Sequence, residues 1–109
     1  MMNKEEGMMK DETMMEKPQT ATFDLTGRNF AFSTSEIRVK KGDKVKINFS
    51  STGGFHDFSL EGYNIATAQV NTGEKTSVEF TADKTGTFEY FCSIGSHRSL
   101  GMVGKLIVE

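Results

Sequence analysis

Tyr90-Phe91-Cys92-Ser93-Ile94-Gly95-Ser96-His97-Arg98-Ser99-Leu100-Gly101-Met102 puts a thiol, an imidazole and a thioether on one short connection. The only cysteine of the chain is followed after four residues by a histidine, and that histidine after four more by a methionine, a C-x4-H-x4-M pattern. Ahead of it Phe88, Tyr90 and Cys92 alternate with Thr87, Glu89 and Phe91, the period of a β-strand. If Phe88 and Tyr90 enter the core, the thiol is aimed inward at the end of its strand. Zinc sites recruit three or four strong cysteine, histidine or carboxylate ligands. A thiolate, two imidazoles and a weak thioether instead suit a trigonal copper site. The stretch supplies three of those four groups, and His56, the only other histidine, is the candidate for the fourth.

Working outward, short alternating runs continue on both sides. Phe23 and Leu25, Phe30 and Phe32, and Ile37 and Val39 alternate with polar neighbours. Lys40-Lys41-Gly42-Asp43 reads as a turn, after which Val45, Ile47 and Phe49 share one face and Lys44, Lys46 and Asn48 the other. His56, Phe58 and Leu60 are placed on one face of the next run, and an irregular segment covers positions 62–71. Val78 and Phe80, a second turn at Asp83-Lys84-Thr85-Gly86, and Leu106 and Val108 complete the pattern. Seven or eight short strands with no sustained helical period predict an all-β Greek-key sandwich over residues 21–109.

The chain has 109 residues, nine of them Phe, with one Pro and no Trp, and its apolar residues concentrate after position 20. That is enough for one modest core and excludes a second domain. A net charge of −2 gives no basic footprint for nucleic acid. No apolar run is long enough to span a bilayer. A single cysteine forbids an internal disulfide, so cysteine usage leaves the compartment open. The absence of an apolar leader at the N-terminus fits either a cytosolic protein or a mature, trimmed chain.

Residues 1–20, MMNKEEGMMKDETMMEKPQT, hold interspersed charges and no aromatic or β-branched aliphatic residue, so a disordered tail is expected. It carries three Met-Met pairs. Thioethers favour Cu(I), so in a copper protein such a tail would serve as a weak Cu(I) collector. The plainer reading is a solvated linker or a weak amphipathic helix with a methionine stripe.

Gly86-Thr87-Phe88-Glu89-Tyr90-Phe91-Cys92, Ser96-His97 and Gly101-Met102-Val103-Gly104-Lys105-Leu106 resemble the C-terminal copper loop of the plastocyanin/azurin family of blue copper proteins. Gly53-Gly54-Phe55-His56-Asp57-Phe58 is similar to that family's upstream histidine segment, and Val39 to Val45 to its preceding hairpin. The Cys-to-His gap resembles that of azurins and auracyanins and is longer than in plant plastocyanins, the His-to-Met gap resembles that of auracyanins and plastocyanins, and the resemblance covers residues 21–109. It implies a cupredoxin-like fold with one type 1 copper, held by His56, Cys92 and His97 in a plane with Met102 as the long axial ligand. It also implies that Asp57 ties the two ligand loops together through Ser93. Many relatives carry Asn at that position, and a carboxylate there favours Cu(II), so a somewhat lowered potential is expected.

The function so implied is a one-electron carrier cycling between Cu(II) and Cu(I), and not an enzyme. No further histidine is left for a catalytic copper, and no nucleophile or acid/base pair stands out. The alternatives are a periplasmic copper-trafficking protein that uses the Met-rich tail, a metal-free interaction module, and a green or red copper site with the same ligands. The expected partners are redox proteins, such as cytochromes, oxidases or reductases, docking on an apolar patch of Phe55, Ile94, Leu100 and Val103 around His97. Arg98, beside that patch, either steers an acidic partner, raises the potential, or is a solvated charge. A monomer is expected, outside the cytoplasm in periplasm or extracellular space, with a membrane tether admitted in the full-length precursor.

Overall fold

Alternation between apolar and polar residues builds two sheets whose inner faces meet in one core. The structure, a computed structural model, describes residues 19–109. The expected Met-rich tail lies outside the described residues, except that Gln19 and Thr20 are already part of the first strand's edge. There are nine strands and no helix among the described residues. They are β1 (Thr20–Arg28), β2 (Ala31–Phe32), β3 (Glu36–Val39), β4 (Lys44–Ser51), β5 (Ser59–Leu60), β6 (Ile65–Ala66), β7 (Lys75–Thr81), β8 (Gly86–Phe91) and β9 (Val103–Val108).

One sheet runs β3-β9-β8-β5-β6 and the other β2-β1-β4-β7. The pairs β1/β4 and β3/β9 are parallel; the other strand pairs are antiparallel. The Lys40–Asp43 segment turns tightly, Asp43 N–H donating to the Lys40 carbonyl at 3.0 Å and Lys40 N–H to Asp43 Oδ2 at 3.0 Å. It is not a hairpin between paired strands. It carries the chain from β3 in one sheet to β4 in the other, because Ile37, Val39, Val45 and Ile47 all bury in the space between the sheets. The Asp83–Gly86 turn makes the reverse crossing from β7 to β8.

The β4 alternation holds: Val45, Ile47 and Phe49 are buried while Lys44 is exposed. In the core Tyr90 stacks on Phe58 with ring centroids 5.0 Å apart, and Phe32 packs edge-on against both. Gly104 lies opposite Tyr90 in the β8/β9 ladder, where a Cβ would overlap the tyrosine ring. The missing side chain at 104 is what lets Tyr90 lie flat on the sheet, its hydroxyl donating to the Thr34 carbonyl at 2.5 Å. Two alternations fail near one end of the sandwich. His56 to Ser59 are all buried, so the segment has no wet face. Phe30 does not follow Phe32 inward; it is 40% exposed. Both departures occur where the connections fold over the end of the core, beyond the reach of strand periodicity.

Candidate metal centre

Cys92 follows the last residue of β8, and its N–H donates to the Met102 carbonyl at 3.2 Å. Its side chain is fully buried, and burial pushes the thiol above its ordinary pKa. The backbone N–H groups of Asp57 and Ile94 point at the sulfur and oppose that shift by stabilising the thiolate. The thiolate is the form that binds a metal ion, so binding at this sulfur would release the thiol proton to solvent.

His56 is held by an antiparallel bridge to Val70: its N–H donates to the Val70 carbonyl at 3.0 Å, and Val70 N–H returns to its carbonyl at 2.9 Å. His56 Nε2 lies 2.7 Å from the Gly53 carbonyl oxygen. A carbonyl only accepts, so Nε2 carries the proton and Nδ1 presents its lone pair. That nitrogen faces Cys92 Sγ at 3.8 Å. A backbone carbonyl thus sets the tautomer and aims the ring, as such partners do for metal-bound histidines.

His97 sits on the turn-rich loop after Cys92, where its N–H donates to the Ile94 carbonyl at 2.9 Å. Its Nδ1 lies 3.4 Å from Cys92 Sγ, and its ring is half-buried, 5.1 Å from the His56 ring. The donor atoms of His56, Cys92 and His97 all lie within 4.8 Å of one another. One first-row metal ion bonded to sulfur and nitrogen at about 2.0–2.3 Å leaves such atoms about 3–4.4 Å apart, and the two sulfur–nitrogen separations, 3.8 and 3.4 Å, fall in that range. One thiolate with two imidazoles is a donor set suited to copper.

Met102 is fully buried. Its N–H donates to the His97 carbonyl at 3.1 Å and its carbonyl accepts from Cys92, so its backbone is bonded to both loop residues. Its methyl and the Phe49 ring pack over Gly27, where a Cβ would come within 2.9 Å and 2.7 Å of them. Asp57 is buried, and its carboxylate accepts the Ser93 N–H at 2.7 Å and the Ser93 hydroxyl at 2.5 Å.

The surface around His97 differs from the sequence-based picture in three respects. Phe55 and Leu100 are exposed there at 39% and 55%, but the third large exposed side chain is Phe30, whose ring meets His97 at 4.9 Å. Its place after β1, 67 positions from His97 along the chain, left no local signal. Val103 instead pairs with Phe91 in the sheet and lines a separate surface beside Glu61 and Glu89. Arg98 is not a free charge: its guanidinium pairs with Glu89 and Glu61 and lies 3.8 Å over the Phe91 ring, with the side chain still 40% exposed. A cation already bound to two carboxylates has little charge left for steering a partner.

Comparison with known proteins agrees with this geometry. Residues 19–109 match the family described as copper binding proteins, plastocyanin/azurin family. The nitrous-oxide reductase of Cupriavidus necator is 32% identical over 105 residues, 92% of this chain but 16% of that protein. Auracyanin-A of Chloroflexus aurantiacus is 29% identical over 84% of this chain and 75% of its own length. The solved structure of auracyanin A, a "blue" copper protein, superposes with a TM-score of 0.73 and 25% identity, covering 83% of this chain and 99% of that one. A dithionite-reduced auracyanin from Roseiflexus castenholzii shares the fold with a TM-score of 0.74 at 21% identity, over 81% of this chain and 96% of that one. The chain therefore spans about a sixth of the curated reductase it matches and nearly the whole of the auracyanin structures. On this match and this donor set, the chain belongs to the plastocyanin/azurin family of copper-binding proteins, with one type 1 copper as its cofactor.

Proposed function

We propose that this chain is a mobile one-electron carrier rather than an enzyme, in which His56, Cys92 and His97 would hold the copper and Met102 would add a weak thioether donor. The carrying observation is the buried thiol of Cys92 set between two imidazole Nδ1 atoms at 3.8 and 3.4 Å. When bound, copper supplies a Cu(II)/Cu(I) couple, and a mixed sulfur and nitrogen set is acceptable to both states.

The chain's own residues hold that set still. The Gly53 carbonyl orients His56, and the Asp57–Ser93 contacts close the histidine segment onto the cysteine. The Met102 backbone joins Cys92 to His97. Positions locked by hydrogen bonds before the metal arrives change little when its charge changes, which keeps reorganisation small. Burial of Cys92, His56 and Met102 excludes water. His97, half-buried beneath Phe30, is the donor that reaches the surface.

Redox partner proteins dock on the apolar patch of Phe30, Phe55 and Leu100; a small patch of that kind suits a brief encounter. We place the carrier outside the cytoplasm, as a monomer; no helix among the described residues is long and apolar enough to cross a membrane. The nitrous-oxide reductase and L-ascorbate oxidase relatives extend far beyond the matched segment, and among the described residues this chain offers one metal-ligating cluster.

Titration of the purified protein with Cu(II) tests the reading. The expected result is one equivalent bound with an intense thiolate charge-transfer colour, bleached by ascorbate and absent in Cys92→Ser. A colourless complex, or colour that survives in Cys92→Ser, overturns it.

A further inference from the structure

The loop carrying His97 is shaped from within. Leu100 N–H donates to the Ser96 and His97 carbonyls, both at 3.1 Å, and Gly101 N–H to the Arg98 carbonyl at 3.1 Å. Such turns give the loop its form but do not fix its placement on the sheet. Its base is anchored by Ser93 to Asp57 and by Met102 to Cys92. At its crown a different anchor operates, the side chain of Arg98, one residue past His97.

Arg98 Nη2 donates to Glu89 Oε1 on β8 and, at 3.2 Å, to Glu61 Oε1 just after β5. The guanidinium lies 3.8 Å over the ring of Phe91, the residue before Cys92. One side chain on the ligand loop thus grips two neighbouring strands of the five-stranded sheet at the level where β8 delivers the cysteine. A lone surface ion pair holds little. A planar guanidinium that binds two carboxylates while stacked on an aromatic face is more restrictive, because each contact limits the orientation left to the others.

We propose that Arg98 is a positioning residue for His97: through Glu89, Glu61 and Phe91 it fixes the crown of the ligand loop, and so the distance between the His97 imidazole and the Cys92 sulfur. This rests on the reading of His97 as a copper ligand. Phe30, in the turn between β1 and β2 of the other sheet, meets the His97 ring in a T-shaped contact at 4.9 Å, so the imidazole is held between that aromatic ring and the pinned loop backbone.

The test begins with the copper-free protein, compared as parent, Arg98→Gln and Arg98→Lys. The amides of Leu100 and Met102 both donate to the His97 carbonyl, so their hydrogen exchange reports the loop crown. Arg98→Gln should speed both roughly three- to tenfold while the β9 amides keep the parent rate, and Arg98→Lys should fall between. In the copper-loaded protein, Arg98→Gln should shift the Cu(II) electron paramagnetic resonance spectrum. The parent should release copper faster at high salt, which screens partly exposed ion pairs, and Arg98→Gln should lose that salt dependence. Unchanged exchange at Leu100 and Met102, or equal acceleration across β9, overturns the proposal. Should Arg98→Gln not fold, Glu61→Gln and Glu89→Gln probe the same anchor from the sheet side, with the same expected and overturning results. A parent that takes up no coloured copper would fell the carrier reading; a coloured parent with unaltered Arg98→Gln exchange would fell only this one.

Discussion

The carboxylate of Asp57 accepts both the N–H and the hydroxyl of Ser93, at 2.7 and 2.5 Å, and so joins the histidine segment to the residue after Cys92. Asparagine can keep this tie: its carbonyl oxygen accepts the Ser93 N–H and its amide donates to the Ser93 hydroxyl oxygen. What it removes is the carboxylate's charge, which favours the more positive metal. Asp57→Asn should therefore raise the reduction potential by roughly 100 mV, the scale of one charge at several Å in a medium of effective dielectric about 20. Voltammetry of parent and variant decides it, and an unchanged or lowered potential would contradict the assignment.

Met102 is proposed as a weak donor, so removing its sulfur should cost less than removing a strong one. Met102→Leu should retain the intense colour and raise the potential, since Cu(II) loses a donor that Cu(I) scarcely needs. Gly27→Ala should disturb the same region without altering a ligand, because a Cβ at Gly27 meets the Phe49 ring and the Met102 methyl. A destabilisation of about 1–3 kcal/mol by urea unfolding is expected.

Leu100 is the most exposed of the three apolar side chains around His97. Leu100→Glu should leave the visible spectrum as it is. It should slow electron self-exchange on the order of tenfold, since two copies meeting at this face would bring like charges together. A parent-like self-exchange rate would place the contact face elsewhere.

The Tyr90 hydroxyl is pushed up to about 12 from an ordinary 10.0, first by burial and then by the charge of Glu36. A raised folded pKa means that its contribution is fully present below about pH 10 and is lost as pH rises toward about 12. Copper-free parent protein should lose on the order of 2–3 kcal/mol across that window, as seen in urea unfolding at stepped pH. Tyr90→Phe should flatten that loss, at the expense of the bond to the Thr34 carbonyl.

The two-sheet core was legible because strand periodicity is a local property. Val45, Ile47 and Phe49 bury where their spacing puts them, and Tyr90 and Cys92 share the inner face as their alternation requires. The turn residues of Lys40–Asp43 were equally legible as a turn, but not as a crossing between sheets, because the same four residues close either a hairpin or an arch. Which one forms depends on the partners that β3 and β4 find elsewhere, in β9 and in β1 and β7.

The sequence by itself determined the chemistry on offer: one thiol, two imidazoles and a thioether, three of them spaced on a single loop whose short span leaves them little room to separate. Only the tertiary structure decided how they meet. His56 comes to Cys92 from 36 positions away with its tautomer set by the Gly53 carbonyl, Phe30 covers His97 from the other sheet, and Arg98 spends its charge on Glu89 and Glu61. These are contacts between segments distant in the chain. They depend on how two twisted sheets pack and on where their end loops land, and no local spacing encodes that.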